Sequence, residues 1–149
     1  MSQKTPIPAE LDRYLRTSSE DNTTNIARYL EHGSALVTNA AIDALRSMLP
    51  VLRRKIAGIK DSFRLRQRVE ILLRYFEETL PTHAAPDATR RDVTFALFYF
   101  LKGYDRIPDS IPEIGLLDDA LIVDSVVTSH RATLRLHWLK HGREWPEET

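Results

Sequence analysis

The chain has no cysteine, which excludes disulfides, thiolate metal sites and a cysteine nucleophile and fits a reducing compartment. Nor has it any formal net charge, with 21 Lys and Arg against 21 Asp and Glu, so no whole-molecule field draws it to nucleic acid or to an anionic membrane. A membrane-spanning run is missing too. The most apolar segment, Val93 to Leu101 (VTFALFYFL), has nine residues including Thr94, against the roughly 20 that a spanning helix needs. The opening MSQKTPIPAELDRYLRTSSED has no apolar h-region and does not read as a signal peptide. The sequence contains no internal repeat, low-complexity tract, nucleophile elbow, phosphate-binding loop or dinucleotide fingerprint. Together these absences point to a soluble, cytoplasmic protein and favour a non-enzymatic role.

What is present is enough for one folded domain. The 149 residues are 42% hydrophobic and 28% charged, the composition of an ordinary globular chain with a sizeable core. Apolar residues recur at helical spacing and never alternate over a sustained stretch. Leu11, Tyr14 and Leu15 open a short helix after Pro8, and Ile26, Tyr29 and Leu30 mark another that stops at Gly33. Val37, Ala41, Ala44, Leu45, Met48 and Leu52 form a third stripe that Pro50 should kink or split. The stripe Leu65, Val69, Leu72, Phe76 and Leu80 is the clearest. Val93, Leu97, Phe100, Leu101 and Tyr104 repeat it, with Thr89 and Asp92 spaced as a capping box. Leu121, Val123, Val126, Val127, Leu134 and Trp138 carry a last helix to Gly142. The expected fold is all-α, a single compact domain of about five to seven helices. Residues 1–33 read as a loosely packed helical extension, 34–142 as the domain and 143–149 as a tail.

The stretch DRIPDSIPEIGLLDD, residues 105–119, lies inside the hairpin expected over 93–141. Pro108 and Pro112 push Ile107 and Ile111 out of the helical region, so the preceding helix should end near Tyr104. Ile107, Ile111, Ile114 and Leu116 would plug the loop into the core. Gly115 can supply a positive φ where the chain enters the next helix. Asp118 and Asp119 would then cap that helix's first turn, and Asp105 and Asp109 would form Asx turns or close the corner of the preceding helix.

This stretch resembles the YkvA-like family, a domain of unknown function (DUF1232), through the pattern D-x-I-P-D-x-I-P-x-x-G-x-x-D-D. The matching positions include Tyr99, Asp105, Pro108, Asp109, Pro112, Gly115, Asp118 and Asp119, within about residues 93–125. The chain departs from the pattern at Lys102-Gly103, where the family has Ser-Pro, and at Arg106, where it has Leu. The resemblance implies a compact helical hairpin, often in bacterial proteins and sometimes beside membrane segments, and brings no established activity.

Three sets of residues are candidate sites. Asp105, Asp109, Asp118 and Asp119 would supply hard oxygen ligands for Mg²⁺, Mn²⁺ or Ca²⁺ if the loop brings them together. Helix caps and turns account for the same residues without a metal, and no cofactor is firmly indicated. Arg53, Arg54, Lys55, Lys60, Arg64 and Arg68 belong to a segment, 46–74, with nine basic side chains against Asp61 and Glu70. Such a run is a solvated face, a complement to the acidic residues 105–124, or a contact for an anionic membrane surface, with nucleic acid less favoured. His137 and His141 have the i, i+4 spacing of a metal pair, but Trp138 stands where HExxH has its Glu, so a zinc protease is unsupported. The sequence therefore favours a non-enzymatic interaction or adaptor module whose partner is another protein. A divalent-metal domain or hydrolase using the aspartates is one alternative, and a peripheral membrane binder using residues 53–68 is another.

Overall fold

Every residue from Val93 to Leu101 is buried, Thr94 included. A helix apolar on all sides has to be covered on all sides, and the rest of the chain does this. The computed structural model describes residues 8–11, 13, 26–60, 62–79, 86–106 and 112–146, and for 26–27, 102–106 and 112–119 the course of the helices alone.

Residues 9–11 and 13 are helical. After them come α1 (Ile26–Ser34), α2 (Asn39–Arg46), α3 (Leu49–Ala57), α4 (Phe63–Glu78), α5 (Ala88–Arg106), α6 (Pro112–Ser129) and α7 (Arg131–Lys140). With the N-terminal turn this is one helix above the expected range, and there is no strand among the described residues. Helix α5 is the axle. It packs against α1, α2, α4 and α6, and α7 closes the side formed by α4 and α6. Leu11, Tyr29 and Leu30, within the stretch read as an extension, are buried in the same core. The Tyr29 ring meets Phe95 at 5.5 Å and Tyr99 at 5.8 Å, both edge-on.

Several boundaries follow from local chemistry. The Thr38 hydroxyl accepts from the Ala41 N–H at 3.3 Å to start α2, and the Ser62 hydroxyl accepts from Leu65 at 3.1 Å to start α4. Pro50 does split the third stripe, sitting in the first turn of α3, where its missing N–H costs nothing. Pro112 opens α6 in the same way. Gly142 has φ +76°, and the N–H groups of Gly142 and Arg143 donate back to Leu139 and Trp138 at 3.0 and 3.4 Å. That is the Schellman reversal, which a glycine adopts without steric penalty.

Four expectations need correction. Gly33 does not stop α1, which runs on to Ser34; a Cβ at Gly33 would overlap the Phe95 ring, so the glycine is there for close approach. The start of α5 is not capped by Thr89 and Asp92. Asp87 accepts the Arg90 N–H at 2.8 Å instead, leaving Thr89 and Asp92 for a tertiary contact. Helix α5 does end near Tyr104, at Arg106. Gly115 lies inside α6, and because that helix starts at Pro112, Asp118 and Asp119 fall in its second turn, too far along to cap it. Finally, the last helix is two helices, broken at His130.

Two substitutions test this packing. Gly33→Ala should cost about 1–2 kcal/mol net, because overpacking against Phe95 outweighs the gain in helix propensity. Thr94→Val should raise stability by up to about 1 kcal/mol, since the Thr94 hydroxyl is buried with no hydrogen-bond partner among the described residues. Urea unfolding of each variant measures both.

Candidate functional site

The α5–α6 hairpin brings the start of α5 beside the end of α6. His130 marks the point. Its Nε2 is 2.7 Å from Asp92 Oδ2 and its Nδ1 is 3.0 Å from Thr89 Oγ1. With a carboxylate on Nε2, that nitrogen carries the proton and Nδ1 accepts from the threonine. Both ring nitrogens are thus committed, and the trio ties the α6–α7 corner to the first turns of α5. A cleft of about 410 Å³ beside it is lined by Asp92, Ser34, Ser125 and Ser129 among others. Neither Ser125 nor Ser129 is held by His130, so no serine triad forms among the described residues.

The other end of α5 is held by the basic segment. Lys55 donates through Nζ to the carbonyl of Phe100 at 3.0 Å and to that of Leu101, with its ammonium 5.5 Å over the Phe100 ring. Arg68 is buried and pairs with Asp124 of α6. This is the described pairing between the basic segment and the acidic residues 105–124. Arg53 pairs with Glu77. Of the six basic residues singled out from the sequence, two therefore point inward and one is paired. Arg54, Lys60 and Arg64 are exposed, and Arg66, exposed as well, joins them. Phe63, the first residue of α4, is 75% exposed between them.

Tyr99 is buried against Tyr29. Pro108 and Asp109 lie outside the described residues, as do the side chains of Asp105, Pro112, Asp118 and Asp119, and of Gly115 only its place in the helix is described. The course of the helix places Asp118 and Asp119 together in α6, and says nothing of convergence on an ion.

Residues 93–123 match the model of a family described as a protein of unknown function (DUF1232). The similarity covers the α5–α6 hairpin and leaves the rest of the chain unmatched. No curated protein and no solved structure matches the chain. The DUF1232 segment spans the buried half of α5 and most of α6, so what it contributes is the axle and its closest neighbour. No described helix is long and apolar enough to cross a membrane.

A further cluster joins the far end of α4 to α7. His137 Nε2 is 2.9 Å from Glu78 Oε1, His141 Nε2 is 3.8 Å from the same oxygen, and Arg143 donates to it as well. Burial raises the Glu78 carboxyl, but the hydrogen bonds from Arg143 and His137 outweigh it and hold the group below the usual carboxylate range. The histidine pair was visible in the sequence through its i, i+4 spacing. Glu78 was not, because it is 59 residues from His137.

The clamp and the inward ion pair have measurable worth. His130→Ala and Asp124→Ala should each lower stability by about 1–3 kcal/mol, the first by unpairing Asp92 and Thr89 and the second by removing the carboxylate from buried Arg68. A lower urea midpoint at unchanged slope is the expected reading.

Proposed function

We propose that the protein is a non-enzymatic helical interaction module that docks on an anionic membrane surface, the cytoplasmic leaflet, through the corner between α3 and α4. One observation carries this reading: Phe63 is 75% exposed in a corner where Arg54, Lys60, Arg64 and Arg66 are all exposed and have no carboxylate partner among the described residues.

Helical geometry supports it. At 3.6 residues per turn, Phe63 lies about 180° around α4 from Leu72, and Leu72 is fully buried. The ring therefore points directly away from the core, with Arg64 and Arg66 on either side of it. A standard protein interface buries about 800 Å² on each partner, and a single protruding ring among flexible cations offers no such flat apolar centre. Lipid headgroups ask for less. Each basic side chain near an anionic leaflet contributes about 1 kcal/mol, and partial burial of the phenyl ring adds about 1–2 kcal/mol. The sum describes reversible, salt-sensitive binding.

Co-sedimentation with vesicles tests the reading. Binding is expected to vesicles containing phosphatidylserine and not to pure phosphatidylcholine, to weaken in high salt, and to fall at least tenfold when Arg54 and Arg64 are both changed to Glu. Phe63→Ala should reduce it several-fold without altering stability. Equal binding by the charge-reversed protein, or selective binding to RNA or to an acidic protein instead of vesicles, would overturn it.

A further inference from the structure

We propose that Glu78, His137 and His141 form a site for a divalent transition-metal ion of the zinc type, stapling the end of α4 to the end of α7. The three side chains each offer one ligand atom, and these atoms all lie within 4.8 Å of one another. In a tetrahedral site with bonds of about 2.0–2.2 Å, neighbouring donors stand roughly 3.3 Å apart. The contacts of 2.9 Å from Glu78 to His137 and 3.8 Å to His141 bracket that spacing. Small side-chain rotations would centre an ion between them.

The donor set selects the ion. Two imidazoles and one carboxylate suit Zn²⁺, Co²⁺ or Ni²⁺, whereas Mg²⁺ and Ca²⁺ prefer oxygen ligands throughout. One imidazole is already set as a ligand, and His137 becomes one by releasing to solvent the Nε2 proton that it shares with Glu78 in the metal-free protein. His141 Nδ1 is 3.0 Å from the His137 carbonyl oxygen, so Nδ1 carries the proton and donates, and Nε2 is left with its lone pair toward Glu78. The His137 ring is packed edge-on to Tyr75 at 5.2 Å and lies 4.3 Å from the His141 ring. The end of α7 places His141 beside Glu78, and the reversal at Gly142 turns the chain so that Arg143 reaches the same carboxylate. The His137 and Glu78 side chains are 13% and 22% exposed, while His141 is 42% exposed, which leaves the fourth coordination position open to water.

Arg143 competes with the ion for Glu78, which it holds in the metal-free protein. Its guanidinium pairs with Glu78 and also lies 4.3 Å over the Trp138 ring. On metal binding it gives up the carboxylate and keeps the ring, so the guanidinium acts as an internal competitor that sets the affinity. Arg74 Nη1, 3.7 Å from Glu78 Oε2, adds a weaker opposing charge.

Isothermal titration and thermal unfolding of the metal-stripped full chain with Zn²⁺, and with Mg²⁺, Mn²⁺ and Ca²⁺ in parallel, test the site. One Zn²⁺ per chain is expected, with a raised Tm, because a ligand that binds only the native state stabilises it. Glu78→Gln and His141→Ala should lose the effect while folding normally by circular dichroism. Arg143→Gln should bind about fivefold tighter or more, the effect of removing a competing ion pair. Zn²⁺ stabilising Glu78→Gln as much as wild type would overturn the proposal, as would no binding to either wild type or Arg143→Gln. So would stabilisation by Mg²⁺, Mn²⁺ or Ca²⁺ that survives Glu78→Gln and is lost in Asp109→Asn, which would place the ion in the acidic stretch.

Discussion

The enclosure of α5 is the constraint on which the rest depends. Nine consecutive residues with no exposed side of their own cannot be satisfied by one partner helix, so α1, α2, α4 and α6 must all lie against them. Because the segment's backbone is paired within its own helix, enclosure leaves the main chain satisfied. The polar work falls at its two ends. Asp87 caps the first turn and Asp92 reaches His130, while Lys55 donates to carbonyls of Phe100 and Leu101 near the other end.

Local signals in the sequence were sufficient for most of the helices. The stripe from Leu65 to Phe76, the break at Pro50 and the stop at Gly142 each depend on residues within a few positions of one another, where periodicity and φ preferences decide the outcome. What escaped was long-range. Gly33 reads as a helix stop until Phe95 is seen against it, and Thr89 with Asp92 reads as a capping box until His130 arrives from 38 and 41 residues away. The same holds for the corner at His130, since the apolar stripe runs through it unbroken in sequence, from Val126 and Val127 to Leu134. Charge segregation points to basic and acidic segments that complement one another, and Arg68 with Asp124 is such a contact. Which cations face inward depended on the orientation of α3 and α4, which composition does not encode.

Both proposed contact sites lie on α4, at opposite ends. Phe63 begins the helix and Glu78 ends it, about 22 Å apart at 1.5 Å per residue. Between them the inner face of α4 packs on α5 and α6, so a single half-buried helix positions an outward-facing cationic corner and a histidine–carboxylate cluster. The DUF1232 segment supplies neither site. It supplies the core against which α4 is held.

Native-state hydrogen exchange measures the central claim directly. If α5 is the enclosed axle, the amides of residues 93–101 exchange only through global unfolding, with protection equal to the full unfolding free energy. Amides of α7, which covers one side only, exchange through smaller openings. Exchange of 93–101 at a lower free energy than α7 would contradict the account, because it would mean that the helix opens without the rest of the fold.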